Sequence, residues 1–205
     1  YADGGAMFGA IPKSAWSRRY PSDETNGCVL AMRSLVIKTD DGRIVLVDNG
    51  AGNKHLKQLS YYRFFNLIDL GTELRNRGIQ PEEITDVVLT HLHFDHCGYT
   101  TQKDESTGHL FLSFPNANHW VSRKQWENFL HPNALEADSY FIENMQATYD
   151  SGKLRLIESD TNLCPGIDLR LFDGHTPGQI APYITTPERT YVFAGDVIPL
   201  AASVS

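Results

Sequence analysis

The segment THLHFDHCG, residues 90–98, decides both the fold class and the chemistry of this chain. It directly follows the apolar run DVVL, which is typical of a buried strand. Because alternate residues of an extended chain point to the same side, His91 and His93 can bind one cation, while Asp95 and His96 diverge toward a second. This clustering favours metal binding over a polar loop whose histidines only form hydrogen bonds. The pattern therefore predicts a site for two metal ions.

Two later motifs follow in an order that is specific to one known superfamily. The pattern His-x-His-x-Asp-His is complete from His91 to His96, the turn GHTPG follows at residues 174–178, and Gly195 and Asp196 follow another apolar strand. With these motifs the sequence resembles the metallo-β-lactamase-fold hydrolases, and the resemblance covers nearly all of the 205 residues. The opening DGGAMFG and the later DNGAG resemble the branch that contains N-acyl homoserine lactonases and organophosphate hydrolases.

The resemblance implies a fold and a set of metal ligands. The expected fold is of the α/β (α+β) class, a four-layer αββα sandwich in one domain over residues 1–205, incomplete at its C-terminus. Asp196 would bridge the two ions through its two carboxylate oxygens, and Asp48 would support the site by holding a ligand. For Asp48, plain turn chemistry is an equal alternative. The expected metal ligands are His91, His93, Asp95, His96, His175 and Asp196.

The expected activity is hydrolysis of a small ester, with a lactone as the leading substrate class. Two divalent ions would hold a bridging hydroxide as the nucleophile and polarise the substrate oxygen, so that no serine nucleophile is required. Asp95 would also orient the hydroxide or carry a proton to the leaving group. Nitrogen and oxygen ligands suit zinc, with manganese, iron and cobalt as open alternatives. The other functional hypotheses are a phosphotriester or aryl ester hydrolase, a glyoxalase II-like thioesterase, and a catalytically silent metal-binding domain.

Two local departures refine this assignment. The true β-lactamases of the fold often place a cysteine in the second metal site, in the position of the later aspartate, but Asp196 stands there in this chain. Cys97 is therefore interpreted as a small packing residue. Some lactonases of the fold carry a substrate-binding tyrosine shortly after the bridging aspartate, whereas VIPL follows here. This second departure weakens a strict lactonase assignment and leaves the metal chemistry unchanged.

The composition excludes several classes of protein. The net charge of -7 argues against a nucleic-acid surface, and we find neither an apolar run of membrane length nor a secretory pattern. We therefore expect a soluble, cytoplasmic protein that binds a small-molecule substrate and neither nucleic acid nor membrane. Because the chain starts at Tyr1, a leader segment that is removed from the mature protein stays an open alternative. A homodimer is compatible with the sequence. Cys28, Cys97 and Cys164 form no Cys-x-x-Cys pair, which predicts reduced thiols.

Hydrophobic periodicity predicts most of the elements. We expect a hairpin around TDDG, packing helices over 64–74 and 137–149, and a helix that Ser122 caps. Residues 1–28 are rich in Gly, Pro and Ser and are predicted to form an irregular surface segment. This segment is interpreted either as a binding loop or as a cover for the edge of the core through Phe8 and Trp16. The further strands are predicted at 109–114, 118–121, 153–157, 167–172, 180–185 and 190–194.

The residues that would contact the substrate are predicted from aromatic side chains outside the motifs. Trp16, Phe64 and Phe65 are candidates for an apolar wall of the substrate pocket, with burial in the core as the alternative interpretation. His119 and His131 are interpreted as surface or hydrogen-bonded histidines rather than ligands.

The second metal site is expected to be one ligand short. Members of the family complete it with a further histidine well beyond the bridging aspartate, and none of the remaining histidines of this chain stands in the matching position. We therefore expect the natural protein to be longer at its C-terminus, and the second ion to be held weakly or under cover of another chain.

Overall fold

The structure is a computed structural model that describes residues 1–204, in which short strands alternate with short helices. The strands are β1 Ala2–Asp3, β2 Gly27–Cys28, β3 Leu35–Lys38, β4 Ile44–Val47, β5 Asp86–Val88, β6 Thr101–Lys103, β7 Leu110–Leu112, β8 Asn118–Ser122, β9 Leu154–Ile157, β10 Thr161–Cys164, β11 Ile167–Phe172, β12 Gln179–Thr185 and β13 Thr190–Val192. The α-helices are α1 Gly4–Phe8, α2 Lys13–Trp16, α3 Leu70–Asn76, α4 Phe94–Cys97, α5 Arg123–Leu130 and α6 Gln146–Asp150.

Two sheets carry the architecture. The first has the order β3-β4-β5-β8-β9, with an antiparallel β3–β4 hairpin and parallel pairing of the remaining neighbours. The second has the order β10-β11-β12-β13 and is antiparallel throughout. Parallel pairing needs long crossover connections, and these bring the helices of the chain onto the first sheet.

The core shows how the sheets and helices are layered. Val45, Val47 and Val88 on one face of the first sheet pack against Leu169 and Ile180 of the second sheet. The opposite face of the first sheet packs against helices in a separate cluster, which includes Leu46, Val87, Val121, Leu74 of α3, and Trp126 and Phe129 of α5. Successive residues of β4 and β5 thus alternate between the two clusters, as expected for strands that are buried on both faces. The mixed α and β class with packed sheets confirms the predicted fold class.

The predicted strands and the cap at Ser122 are confirmed, whereas β6, β10 and the two-residue strands β1 and β2 were not predicted. The hydroxyl of Ser122 accepts a hydrogen bond from the Gln125 amide at 3.0 Å and begins α5, as expected for an N-cap. The predicted reduced state of the cysteines is also confirmed, since all three are free and buried. Among residues 1–204 no helix is long and apolar enough to cross a membrane.

In two places the structure has a shorter α-helix than predicted. The helix over 64–74 begins only at Leu70, because Asn66 has a positive φ of 51° and the side chain of Asp69 caps the helix by accepting from the Thr72 amide at 2.7 Å. The helix over 137–149 is broken into the 3₁₀ turns Ala137–Ser139 and Ile142–Asn144 followed by α6. The spacing of apolar residues in the sequence does not reveal such breaks. Over a few residues, side chains recur in a 3₁₀ turn at nearly the same interval as in an α-helix.

The amino-terminal segment is more regular than predicted. Residues 1–28 contain α1 and α2 and the paired strands β1 and β2. The carboxylate of Asp3 caps α1 by accepting from the amides of Gly5 and Ala6 at 2.7 and 3.2 Å. Short capped turns of this kind lack the long apolar period that indicates a helix in the sequence.

Gly98 brings two loops into direct backbone contact. A Cβ atom at this position would lie 2.1 Å from the carbonyl oxygen of Ala51, which is too close for any side chain. The loop that follows α4 is thereby held against the turn that follows β4. This contact fixes the position of Asp48, the last residue before that turn, relative to His96.

Candidate metal centre

The end of β5 delivers the first predicted ligands. The chain leaves β5 through Leu89 and Leu92, which are fully buried in the helix-side core and hold the segment that carries His91 and His93. His93 then precedes α4, and its carbonyl oxygen accepts from the amide of His96 at 3.0 Å. An apolar strand end and one turn of helix thus bring four potential ligand side chains to one place.

The second sheet supplies the remaining two side chains. His175 lies in the turn between β11 and β12, which Asp173 closes by accepting from the Gly178 amide at 2.8 Å. Asp196 lies in the 3₁₀ turn Gly195–Val197 that follows β13. The two sheets meet directly beside the site, where the Ile180 amide donates to the carbonyl oxygen of Thr90 at 2.8 Å.

Three imidazole nitrogens converge at the centre of the site. His93 Nδ1 lies 3.1 Å from His91 Nε2 and 3.0 Å from His175 Nε2. Nitrogens bound to one tetrahedral zinc ion at about 2.0–2.1 Å would lie about 3.3 Å apart, so the observed spacing is close to that of a ligand set. Three rings with their nitrogens this close need a shared cation or proton to offset the repulsion of their lone pairs. The donor set therefore fits a divalent metal ion.

A second group of donors lies beside the first. Nitrogen or oxygen atoms of His91, His96 and Asp196 all lie within 4.8 Å of one another. One carboxylate oxygen of Asp196 is 3.5 Å from His96 Nε2 and the other is 3.4 Å from His175 Nε2, so this side chain spans the two groups. Asp95 adds a carboxylate oxygen 3.6 Å from His96 Nε2. The structure thus brings together all six side chains that the sequence predicted as ligands, while their binding of metal stays a prediction.

The protonation of the site suits a cation. Burial, together with the neighbouring histidines, lowers the pKa of His91 well below its usual range and that of His93 to about 4. Burial acts in the same direction on His96, but the carboxylates of Asp95 and Asp48 outweigh it and raise the pKa of His96 well above its usual range. At neutral pH His91 and His93 are therefore neutral, as metal ligands must be.

Asp48 holds His96 and the start of the ligand segment. Its side chain is buried, and one carboxylate oxygen accepts from the Thr90 amide at 2.8 Å. The other oxygen lies 2.8 Å from the Thr90 hydroxyl and 2.7 Å from His96 Nδ1. A carboxylate at Nδ1 favours the tautomer that leaves Nε2 free toward the site. These contacts support the predicted role of Asp48, which stays a prediction.

The three predicted pocket residues lie in different surroundings. Phe64 packs edge-on against Phe94 of the ligand segment with ring centroids 6.4 Å apart. Trp16 is buried, and its ring stacks on that of Phe8, with centroids 4.8 Å apart, rather than on a ring of the ligand segment. Phe65 is half-exposed and lies 5.4 Å from the ring of Tyr1. Their roles toward a substrate stay predictions, and of the three Phe64 has a direct contact with the ligand segment.

The histidines outside the cluster take other positions. His119 is fully buried in β8, so the interpretation as a surface residue is wrong for it, and burial lowers its pKa to about 4. His131 is exposed, as predicted. Cys97 is fully buried and its thiol lies 3.3 Å from the carbonyl oxygen of Leu92, which confirms its interpretation as a packing residue.

Two clefts flank the cluster. One of about 660 Å³ opens beside the His175 turn, and its lining is formed by Lys124, Glu127, Asn128, His131, Asp173, Gly174 and Pro177. The other, of about 320 Å³, is lined by Gln58, Leu59, Tyr61, Ala137, Asp138, Tyr140 and Phe141. Tyr140 connects the second cleft to the site, because its ring centroid lies 4.8 Å from that of His93.

Sequence reasoning missed a polar group beside His93. It consists of Asn128, Glu136, Tyr140 and Thr176, which are linked by hydrogen bonds. These residues come from α5, from the irregular segment that follows it and from the His175 turn. Their spacing in the sequence matches no motif, so only the folded chain reveals them.

Comparison with known proteins identifies the family. The model of the metallo-beta-lactamase superfamily matches residues 33–99, which include the first motif. The structure of a probable metal-dependent hydrolase from Staphylococcus aureus superposes with a TM-score of 0.88 at 34% sequence identity, over 98% of this chain and 70% of that one. The chain belongs to the metallo-β-lactamase superfamily. The superfamily membership predicted from the three motifs is thus confirmed.

Two lactonases are also similar to this chain, at lower sequence identity. An N-acyl homoserine lactonase of Bacillus thuringiensis is 28% identical over 115 residues, which are 56% of this chain and 38% of the lactonase. The structure of AidC, a dizinc quorum-quenching lactonase, superposes with a TM-score of 0.61 at 22% identity, over 80% of this chain and 56% of AidC. The likeness to AidC shows the fold alone, and the aligned segment spans well under half the length of the Bacillus lactonase.

Proposed function

We propose that this protein is a metal-dependent hydrolase that binds two divalent ions and cleaves a small ester, with lactones as its preferred substrates. The observation that carries the proposal is the position of Asp196, whose two carboxylate oxygens reach His96 and His175 at 3.5 and 3.4 Å. A single side chain between two groups of imidazole donors suits a pair of ions. The named activities of the Bacillus lactonase and of AidC support a lactone substrate.

The side chains of the site would have different roles in such a reaction. His91, His93 and His175 would hold one ion, and Asp95 and His96 the other, with Asp196 between them. Bound zinc or a similar ion would supply a Lewis acid and lower the pKa of water to about 7, which permits hydrolysis at neutral pH. The carboxylate of Asp95, with 36% of its side chain exposed, can hold a proton for the leaving alcohol.

Turnover on a panel of substrates tests the proposal. Metal-loaded protein should hydrolyse acyl homoserine lactones and simple lactones with kcat/KM at least about tenfold higher than for aryl esters, phosphotriesters or thioesters, a difference of about 1.4 kcal/mol in transition-state binding. The metal content of the same samples should be measured by elemental analysis. Absence of turnover on every class with two ions bound would contradict the proposal in favour of a silent metal-binding domain, and a preference for another class would replace the lactone.

Phe64 is proposed as part of the substrate wall, because it packs on Phe94 between two of the ligand residues. Replacement of Phe64 with Ala should change the ranking among lactones of different acyl length by about tenfold while leaving the metal content intact. Phe111→Ala is the matched control, since Phe111 is a half-exposed phenylalanine on β7. Equal losses of kcat/KM for all substrates would show that Phe64 only stabilises the packing.

A further inference from the structure

The two ring nitrogens of His93 lie in different surroundings. Nδ1 faces His91 and His175 at 3.1 and 3.0 Å, whereas Nε2 faces away from them. Nε2 is buried, and within residues 1–204 no group lies at hydrogen-bonding distance from it. Its nearest anionic neighbour is Glu136, with a carboxylate oxygen 3.7 Å away. A buried N–H or lone pair without a partner is costly, so this nitrogen needs an explanation.

Glu136 is held in this position by several donors. The Tyr140 hydroxyl and the Asn128 amide both donate to Glu136 Oε2 at 2.9 Å, and the Asn133 amide donates to Oε1 at 2.7 Å. Only 16% of the Glu136 side chain and 9% of the His93 side chain are exposed, so water screens their interaction little. The carboxylate oxygen nearest to His93 is thus held in its orientation by the Tyr140 hydroxyl and the Asn128 amide.

The same hydroxyl connects Glu136 with the second histidine motif. Tyr140 Oη lies 3.0 Å from the Thr176 hydroxyl, directly after His175, and Thr176 also accepts from Gln125 at 3.0 Å. The segment between α5 and α6 thereby contacts the surroundings of two predicted ligands that come from different sheets. A group with this placement can orient ligands without binding metal itself.

We propose that Glu136, oriented by Tyr140, is a positioning residue that keeps the proton of His93 on Nε2 and so leaves the Nδ1 lone pair free for metal. Neutral imidazole carries one N–H, and a carboxylate opposite one nitrogen draws the proton to that nitrogen. A movement of roughly 0.8 Å would bring the two atoms to the usual hydrogen-bond distance of about 2.9 Å. The inference rests on the proposed function, since it concerns the affinity of the same centre for metal.

The affinity for Zn²⁺ tests this inference without any substrate. Competition with a chromophoric chelator should show that Glu136→Ala weakens zinc binding by about 10- to 100-fold. Glu136→Gln keeps an acceptor without the charge, and Tyr140→Phe keeps the charge without its donor, so both should give smaller losses in the same direction. Asp138→Asn is the matched control, because it removes a charge from the same segment at an exposed side chain and should leave the affinity within twofold of the unmodified chain.

The tautomer of His93 provides a readout that mere loss of packing would not change. In the metal-free protein, ¹⁵N chemical shifts of the ring should show the Nε2–H form for the unmodified chain and a mixture of both forms for Glu136→Ala. If zinc binds tightly to the unmodified chain, while the Glu136 variants and Tyr140→Phe retain its affinity and tautomer, the inference is wrong and the proposed function stands. If the unmodified chain binds none of Zn²⁺, Mn²⁺, Fe²⁺ and Co²⁺, the proposed function fails, and the inference with it.

Discussion

Removal of bound metal should abolish hydrolysis and lower the thermal stability of the protein. The predicted ligands come from both sheets, since His91, His93 and His96 follow β5 while His175 and Asp196 follow strands of the second sheet. Ions in this position would tie the sheets together, and their binding free energy would add to the free energy of unfolding. At a metal concentration a thousand times the Kd the contribution is about 4 kcal/mol, which corresponds to a decrease in Tm of about 10 °C on chelation.

The measurement combines kcat/KM, Tm and metal content before and after chelation. Addition of Zn²⁺, Mn²⁺ or Co²⁺ to the chelated protein should restore kcat/KM and Tm and would show which ion supports turnover. A buffer exchange without chelator is the control for handling losses. Turnover that persists after elemental analysis has verified the loss of metal would refute a metal-dependent mechanism.

Asp48→Asn should lower kcat/KM by about 100-fold and destabilise the protein by about 1–3 kcal/mol. Asparagine tolerates the positive φ of 51° at this position, so the backbone is not strained by the change. When the asparagine oxygen accepts from the Thr90 amide, its NH₂ group faces His96 Nδ1 and the Thr90 hydroxyl and cannot accept from either. An amide N–H opposite Nδ1 instead favours the tautomer with the proton on Nε2, which blocks the nitrogen that faces Asp196 and Asp95.

Asp86→Asn is the control for this variant. Asp86 is also a buried aspartate and begins β5, where it accepts from the Trp120 indole N–H at 2.8 Å and lies 3.4 Å from Arg43. Its replacement should reduce stability and leave kcat/KM and zinc content unchanged. Comparison of the two variants by kcat/KM, elemental analysis and denaturant unfolding separates the effect on His96 from the loss of a buried charge. Full activity of Asp48→Asn would show that Asp48 serves only the turn.

The ligand constellation could be predicted because it depends on short-range spacing. His91, His93 and His96 belong to one segment whose geometry follows from a strand end and one helical turn, and the turn around His175 carries a motif of its own. The strands were predictable for a similar reason, since burial of both faces leaves unbroken apolar runs such as IVLV in β4. The contacts that determine these features join residues that are only a few positions apart in the sequence.

The polar group at His93 could not be predicted because its contacts are long-range. Tyr140 lies in the segment 137–149, for which one continuous helix was predicted, and Glu136 directly precedes that segment. A continuous helix from residue 137 gives no reason to place either side chain beside His93. In the structure the segment begins with a 3₁₀ turn, and the Tyr140 hydroxyl forms hydrogen bonds with Asn128 and Thr176. The capped start of α3 at Asp69 is a smaller example of a local hydrogen bond that outweighs apolar spacing.

The contact between Gly98 and Ala51 bears on how the protein moves. Gly98 has φ of -62° and ψ of -31°, an ordinary helical conformation that any residue adopts, so flexibility is not the reason for a glycine there. Its missing side chain instead allows two backbone segments to touch, and touching backbones transmit displacement rather than absorb it. We therefore expect the Asp48 turn and the short helix α4, which carries His96, to be displaced together, so that Asp48 and His96 keep their contact when either segment shifts.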